Sequence, residues 1–112
     1  MSDALSVDLK RMSEKFESRG VFEVNQVIGI WEVNISECPV NPLRIKVIKY
    51  SDGMFLGVAS HLIKPEGHAK PFRNLNLKST PQEAIEDSLE GFLAYYDADK
   101  LSTTTFIRDD EF

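Results

Sequence analysis

Two histidines, one cysteine and a row of carboxylates are the side chains of this 112-residue chain with the clearest chemical potential. His61 and His68 stand seven positions apart, a spacing that fits no zinc pattern. A metal site would need a further ligand, such as Glu66 or Cys38, delivered by the fold. Cys38 becomes a nucleophile only if a base such as His61, or a positive local field, lowers its thiol pKa. Next to Pro39 and without such a neighbour in sequence, it reads as a small inert hydrophobe. Serine, histidine and aspartate are present without the glycine pattern of a nucleophile elbow, so no triad is indicated. The expectation is a non-enzymatic protein with no metal and no cofactor.

The charged residues offer more. Residues 41–80 hold seven bases (Arg44, Lys46, Lys49, Lys64, Lys70, Arg73, Lys78) against two acids, a net +5. Residues 81–112 hold nine acids against two bases, a net −7, and the whole chain carries −5. Total charge therefore conceals a basic segment. Glu83, Glu86, Asp87 and Glu90 recur on the outer side of a helix whose inner side is Ile85 and Leu89. They make either a solvated stripe or a docking face for a basic protein partner. In the basic segment, Lys46, Lys49, Lys70, Phe72 and Arg73 form an alternative anion- or nucleic-acid-binding set, with Phe72 as a base-stacking ring. No glycine-rich phosphate loop or recognition-helix pattern accompanies it. Both readings need the opposite charges to reach separate faces; neighbouring charges would neutralise one another instead.

The elements must position these groups. At this length folding hides roughly two-thirds of the unfolded surface, enough for one core and one domain over residues 1–112. A 42% hydrophobic and 28% charged composition is that of a globular chain. One cysteine precludes an intrachain disulfide. No window is apolar enough for a signal peptide or a membrane span, so a cytoplasmic protein is expected.

Leu5, Leu9, Met12 and Phe16 at 4-3-4 spacing predict a helix over residues 3–18, opened by Ser2 and stopped by Gly20. Residues 21–35 are β-branched and aromatic, too long for one strand unless Gly29 marks a bulge or residues 25–26 a break. Residues 36–42 read as a loop. LRIKVIKY and MFLGVASHLI flank Ser51-Asp52-Gly53, predicting a hairpin with a type I′ turn. The inverted alternation at Ile48 and Lys49 suggests a bulge or an edge strand. Residues 64–79 form a long basic loop, with residues 74–77 as a short strand within it. Thr80-Pro81-Gln82-Glu83 is a capping box that opens a helix to residue 97, with Ile85, Leu89, Phe92 and Tyr96 as its apolar stripe. Residues 101–108 suit a last strand, followed by a frayed acidic tail over residues 109–112.

The predicted fold is α+β: an antiparallel sheet of four or five strands with two helices covering one face, in the order α-β(β)-ββ-α-β. Over residues 43–97 the chain resembles HicB-type antitoxin domains. Tyr50-Ser51-Asp52-Gly53-Met54-Phe55-Leu56-Gly57 matches their hairpin, and Thr80-Pro81-Gln82-Glu83-Ala84 matches their helix opening. The resemblance implies a β-β-β-α sheet of the partial double-stranded-RNA-binding type, used in antitoxins to occlude a partner toxin. The expected function is a small acidic docking module of antitoxin, immunity, inhibitor or chaperone kind, acting on a protein partner. Nucleic-acid binding through residues 44–78 is the alternative, and the oligomeric state stays open between monomer and homodimer.

Overall fold

The computed structural model describes residues 7–112 and has the expected α+β architecture. Helix α1 spans Leu9–Lys15 and is followed by a 3-10 turn, Glu17–Arg19. Asp8 is its N-cap, accepting from the Arg11 amide at 3.0 Å. The predicted Ser2 cap and Leu5 lie outside the described residues. Gly20 ends the segment in the left-handed region, φ 95°, where glycine carries no Cβ penalty.

Three antiparallel strands follow, β1 (Gln26–Val33), β2 (Leu43–Lys49) and β3 (Phe55–Ala59), in the spatial order β1-β2-β3. The long apolar run 21–35 thus yields a strand only from Gln26, and the register slips between Val27 and Gly29, a bulge at the expected glycine. Strand β2 is central, which corrects the edge placement suggested by Ile48 and Lys49. The hairpin turn also differs from the type I′ expectation. Gly53 alone has positive φ, its amide donates to the Tyr50 carbonyl, and Tyr50 in turn donates to Met54. Three residues close the hairpin, the usual way to fit one left-handed glycine between twisted strands.

The predicted second hairpin strand breaks at Ser60. The Ser60 hydroxyl accepts from the Arg44 amide at 3.0 Å and its own amide donates to the Arg44 carbonyl, ending the ladder with β2. Beyond it, β4 (His61–Lys64) leaves the first sheet and pairs antiparallel with β5 (Thr105–Arg108) in a second one. The single sheet expected from sequence is therefore two, of three and two strands. A 3-10 stretch, Ala98–Thr103, replaces the first half of the predicted last strand.

Helix α2 (Pro81–Ala94) starts as the capping box requires: Thr80 Oγ1 accepts from the Glu83 amide at 3.1 Å. Its fully buried stripe is Ala84, Ser88 and Phe92 rather than Ile85 and Leu89, which are half-buried. Gly57 explains the rotation. An added Cβ there would lie 2.3 Å from the Ala84 carbonyl oxygen, so the helix backbone rests directly on β3. Only small side chains fit that close approach. The aromatic end of α2 builds the core: Cys38, Leu43, Ile63 and Phe92 cluster with Phe72, Tyr96 and Phe106 packed against them.

Helix α2 covers one face of the sheet. Contrary to expectation α1 does not join it there; its start lies beside the hairpin turn, near Lys49 and Tyr50. The molecule is only 19 Å thick along its short axis, and its radius of gyration is 16.5 Å. A compact chain of this length would measure about 13 Å. Among the described residues no helix covers the second sheet face, where the C-terminal Glu111 and Phe112 meet Lys46.

Candidate functional site

The two charged patches are tied together more than they are set apart. In the acidic set, Glu83 is taken into the helix cap, its carboxylate accepting from Ser79 Oγ at 2.9 Å and Thr80 Oγ1 at 3.0 Å. Those hydroxyls, Ser79 first, hold the Glu83 carboxyl below the usual carboxylate range. Asp87 is paired with Lys78 at 3.6 Å and accepts from Asn76 at 3.3 Å. Glu86 and Glu90 remain exposed, with Gln82 donating to Glu86.

In the basic set, Phe72 and Arg73 are engaged within the fold. Phe72 is half-buried, stacks on Tyr95 with centroids 5.1 Å apart, and its amide donates to the Ile63 carbonyl. Its ring sits where a Gly91 side chain would be, 2.4 Å from a built Cβ. Arg73 Nη1 bridges Asp109 at 2.9 Å and Glu111 at 3.1 Å. Asp109 is 3% exposed, and its Oδ1 accepts from the Glu111 amide. The acidic tail is consequently pinned, which corrects the frayed end expected from sequence. Lys46 Nζ donates to the main-chain oxygens of Glu111 and Phe112 and lies 5.0 Å over the Phe112 ring. Arg44 pairs with Glu32 at 3.2 Å. Lys49 and Lys70 make no ion pair among the described residues. Loop 65–80 and the tail meet in space, so charges far apart in sequence become neighbours.

Cys38 is buried in the apolar core cluster with Leu43, Ile63 and Phe92. His61 accepts or donates at Nδ1 to its neighbour Ser60 Oγ, 3.0 Å away. Burial, and secondarily Arg108 across the β4–β5 pair, pushes the His61 pKa down. Among the described residues no group of three or more His, Cys, Asp or Glu side chains converges as a metal set would.

The remaining feature is apolar. Register places Gly29, Trp31, Ile45, Val47 and Gly57 on the α2 side of the sheet, and Val27, Ile30, Ile48, Leu56 and Val58 on the other, together with the charged Glu32, Arg44 and Lys46. The Phe55–Lys78 bridge carries residues 74–78 along β3, bringing Leu77 level with Leu56. Residues 74–77 themselves form no strand, contrary to the sequence expectation. Phe22, Tyr50, Leu56, Leu75 and Leu77, with Glu23, Ser51 and Asp52, line a shallow groove of about 480 Å³ at this end of the open face. Phe22 is 90% exposed and Leu75 72%. Burial, then the nearby Glu23 carboxylate, raises the Tyr50 phenol pKa. Contiguous exposed apolar surface of this kind marks interaction sites in soluble folds.

Charge counting missed this surface, although Phe55-Leu56-Gly57-Val58-Ala59 carried a signal. An apolar run reads as a strand with two apolar faces, and one helix layer covers one of them. Compared with known protein families, curated proteins and solved structures, the chain matches none.

Proposed function

We propose that this protein is a non-enzymatic docking module that binds a protein partner through the open face of its three-stranded sheet. The observation that carries the reading is the open groove of Phe22, Leu56, Leu75 and Leu77, rimmed by Glu23, Ser51 and Asp52, on a molecule 19 Å thick. Burying such side chains contributes about 25 cal/mol per Å², so a few anchors dominate a contact of this type. The partner's matching surface is apolar at its centre. The acidic helix takes a lesser part than its charge suggested, because Glu83 and Asp87 are engaged within the fold and only Glu86 and Glu90 stay open. Nucleic-acid binding loses support for the same reason, with Lys46, Phe72 and Arg73 engaged internally. The resemblance to HicB-type antitoxin domains, which work by occluding a partner, is of the same character.

The test is affinity capture from the native host with three baits. Leu75→Glu/Leu77→Glu is expected to lose the partner, while Glu86→Lys/Glu90→Lys retains it. Both changes lie on exposed positions and leave the fold intact. The reverse outcome would move the docking face to the helix. A salt-sensitive mobility shift with RNA, unchanged by the leucine substitutions, would replace the reading altogether.

A further inference from the structure

The sheet has two outer edges, and the fold treats them differently. Along β3, residues 74–78 shield the edge: Phe55 and Lys78 exchange both main-chain hydrogen bonds at 2.8 Å, and Asn74 Nδ2 donates to the Gly57 carbonyl. Along β1 no strand or bridge pairs with the outer side among the described residues. Yet β1 is the longest strand, Gln26–Val33, with no lysine, arginine or proline in it. Its one charge, Glu32, is already held by Arg44. Natural edges are normally blunted by lysine, proline, shortness or a bulge. Here the bulge lies between Val27 and Gly29, which leaves residues 29–31 as the regular stretch centred on Ile30, with Glu32 and Val33 beyond it. Side chains next to this edge are apolar and exposed on both faces, Ile30 at 53% on the open side and Trp31 at 40% on the α2 side.

We propose that the outer edge of β1 is a self-association site, where β1 of a second copy of this chain adds antiparallel across a two-fold axis at Ile30. The product is one continuous six-stranded sheet. Self-pairing suits this edge because an isologous contact must tolerate its own charges. A two-fold at Ile30 separates Glu32 from the partner's Glu32 by four residues, roughly 13 Å along a strand. That exceeds the screening length of about 10 Å at 0.1 M salt. Each Ile30 meets the partner's Ile30 on the open side. Each Trp31 ring already lies over Gly29 of its own strand, 2.8 Å from a Cβ built there, so the two rings flank the axis on the α2 side. The inference does not depend on what occupies the open face, although it would join two such faces into one surface.

The experiment is sedimentation equilibrium of the full chain over a concentration series, read together with fluorescence of Trp31, the single tryptophan. Wild-type protein is expected at twice the 12.7 kDa chain mass, with Trp31 emission shifted to the blue and protected from acrylamide as the dimer forms. Ile30→Lys apposes two cations at the axis and is expected to give a monomer with unchanged far-ultraviolet circular dichroism. Ile30→Cys is expected to form a covalent dimer on oxidation, since directly opposed Cβ atoms lie about 4.5–5.5 Å apart. Leu77→Glu, on the open face, leaves the dimer intact. A wild-type monomer at all concentrations would overturn the proposal, as would a dimer that survives Ile30→Lys or dissolves with Leu77→Glu.

Discussion

Gly57→Ala probes the packing of α2 on β3, the contact on which the two-layer arrangement depends. In an ordinary strand, replacing glycine by alanine gains about 0.5–1 kcal/mol, because alanine loses less backbone freedom on folding. At this position the sign reverses. The new methyl would sit 2.3 Å from the Ala84 carbonyl oxygen and 3.0 Å from Ser88 Cβ, about 1 Å inside ordinary contact. The obstacle is helix backbone, which no rotamer change can move. Helix α2 must retreat, and a gap of 0.5–1 Å forfeits a quarter to a half of each contact energy along its buried stripe. Overpacking of this kind costs about 3 kcal/mol. At about 2.1 cal/mol/K per residue of unfolding entropy, that is a fall of about 13 °C in Tm. Gly53→Ala is the matched control: φ is 85° there and nothing lies within 4 Å of a built Cβ, so only conformational strain of about 1 kcal/mol is expected. Thermal and urea unfolding of both variants give the comparison. A Gly57→Ala protein melting within 2 °C of wild type would refute the close approach of helix and sheet.

Two further expectations concern charge inside the fold. Arg73→Met leaves the Asp109 carboxylate buried with only the Glu111 amide as partner and should cost about 2–3 kcal/mol; adding Asp109→Asn should recover most of it in a double-mutant cycle by urea denaturation. Burial and, secondarily, Arg108 lower the His61 pKa, so the unfolded chain binds the extra proton first: stability is fully present above the unfolded value of about 6.5 and declines as pH falls from there through the lower folded value. Denaturation between pH 7.5 and 5 should show that decline, and His61→Gln should flatten it; an unchanged slope would refute the assignment.

Local chemistry was legible from the amino-acid order wherever a few adjacent residues decide the outcome. The α2 cap needs only Thr80, Pro81 and Glu83, because the hydroxyl satisfies an amide three residues on. Gly20 as a helix stop, Gly29 as a bulge and the hairpin around Asp52-Gly53 are of the same kind, each set by one glycine's freedom or position. The α+β class follows from the alternation of such elements. What periodicity misplaced was the inner face of α2. Ile85 and Leu89 are the larger hydrophobes, but Gly57 on another strand admits the helix so closely that Ala84 and Ser88 must face it.

The chain's composition set the amounts of charge and apolar surface, and tertiary contacts decided where both went. Arg73 and Asp109 lie 36 positions apart and only meet because loop 65–80 and the last strand return to one corner. No spacing rule reaches across that distance, so two segments of opposite sign could not be read as neighbours. The same holds for Leu75 and Leu77, ordinary loop residues until the bridge at Lys78 lays them beside Leu56. Hydrophobic patterning states how much must be buried, whereas only the count of layers in the finished fold states which face is left over.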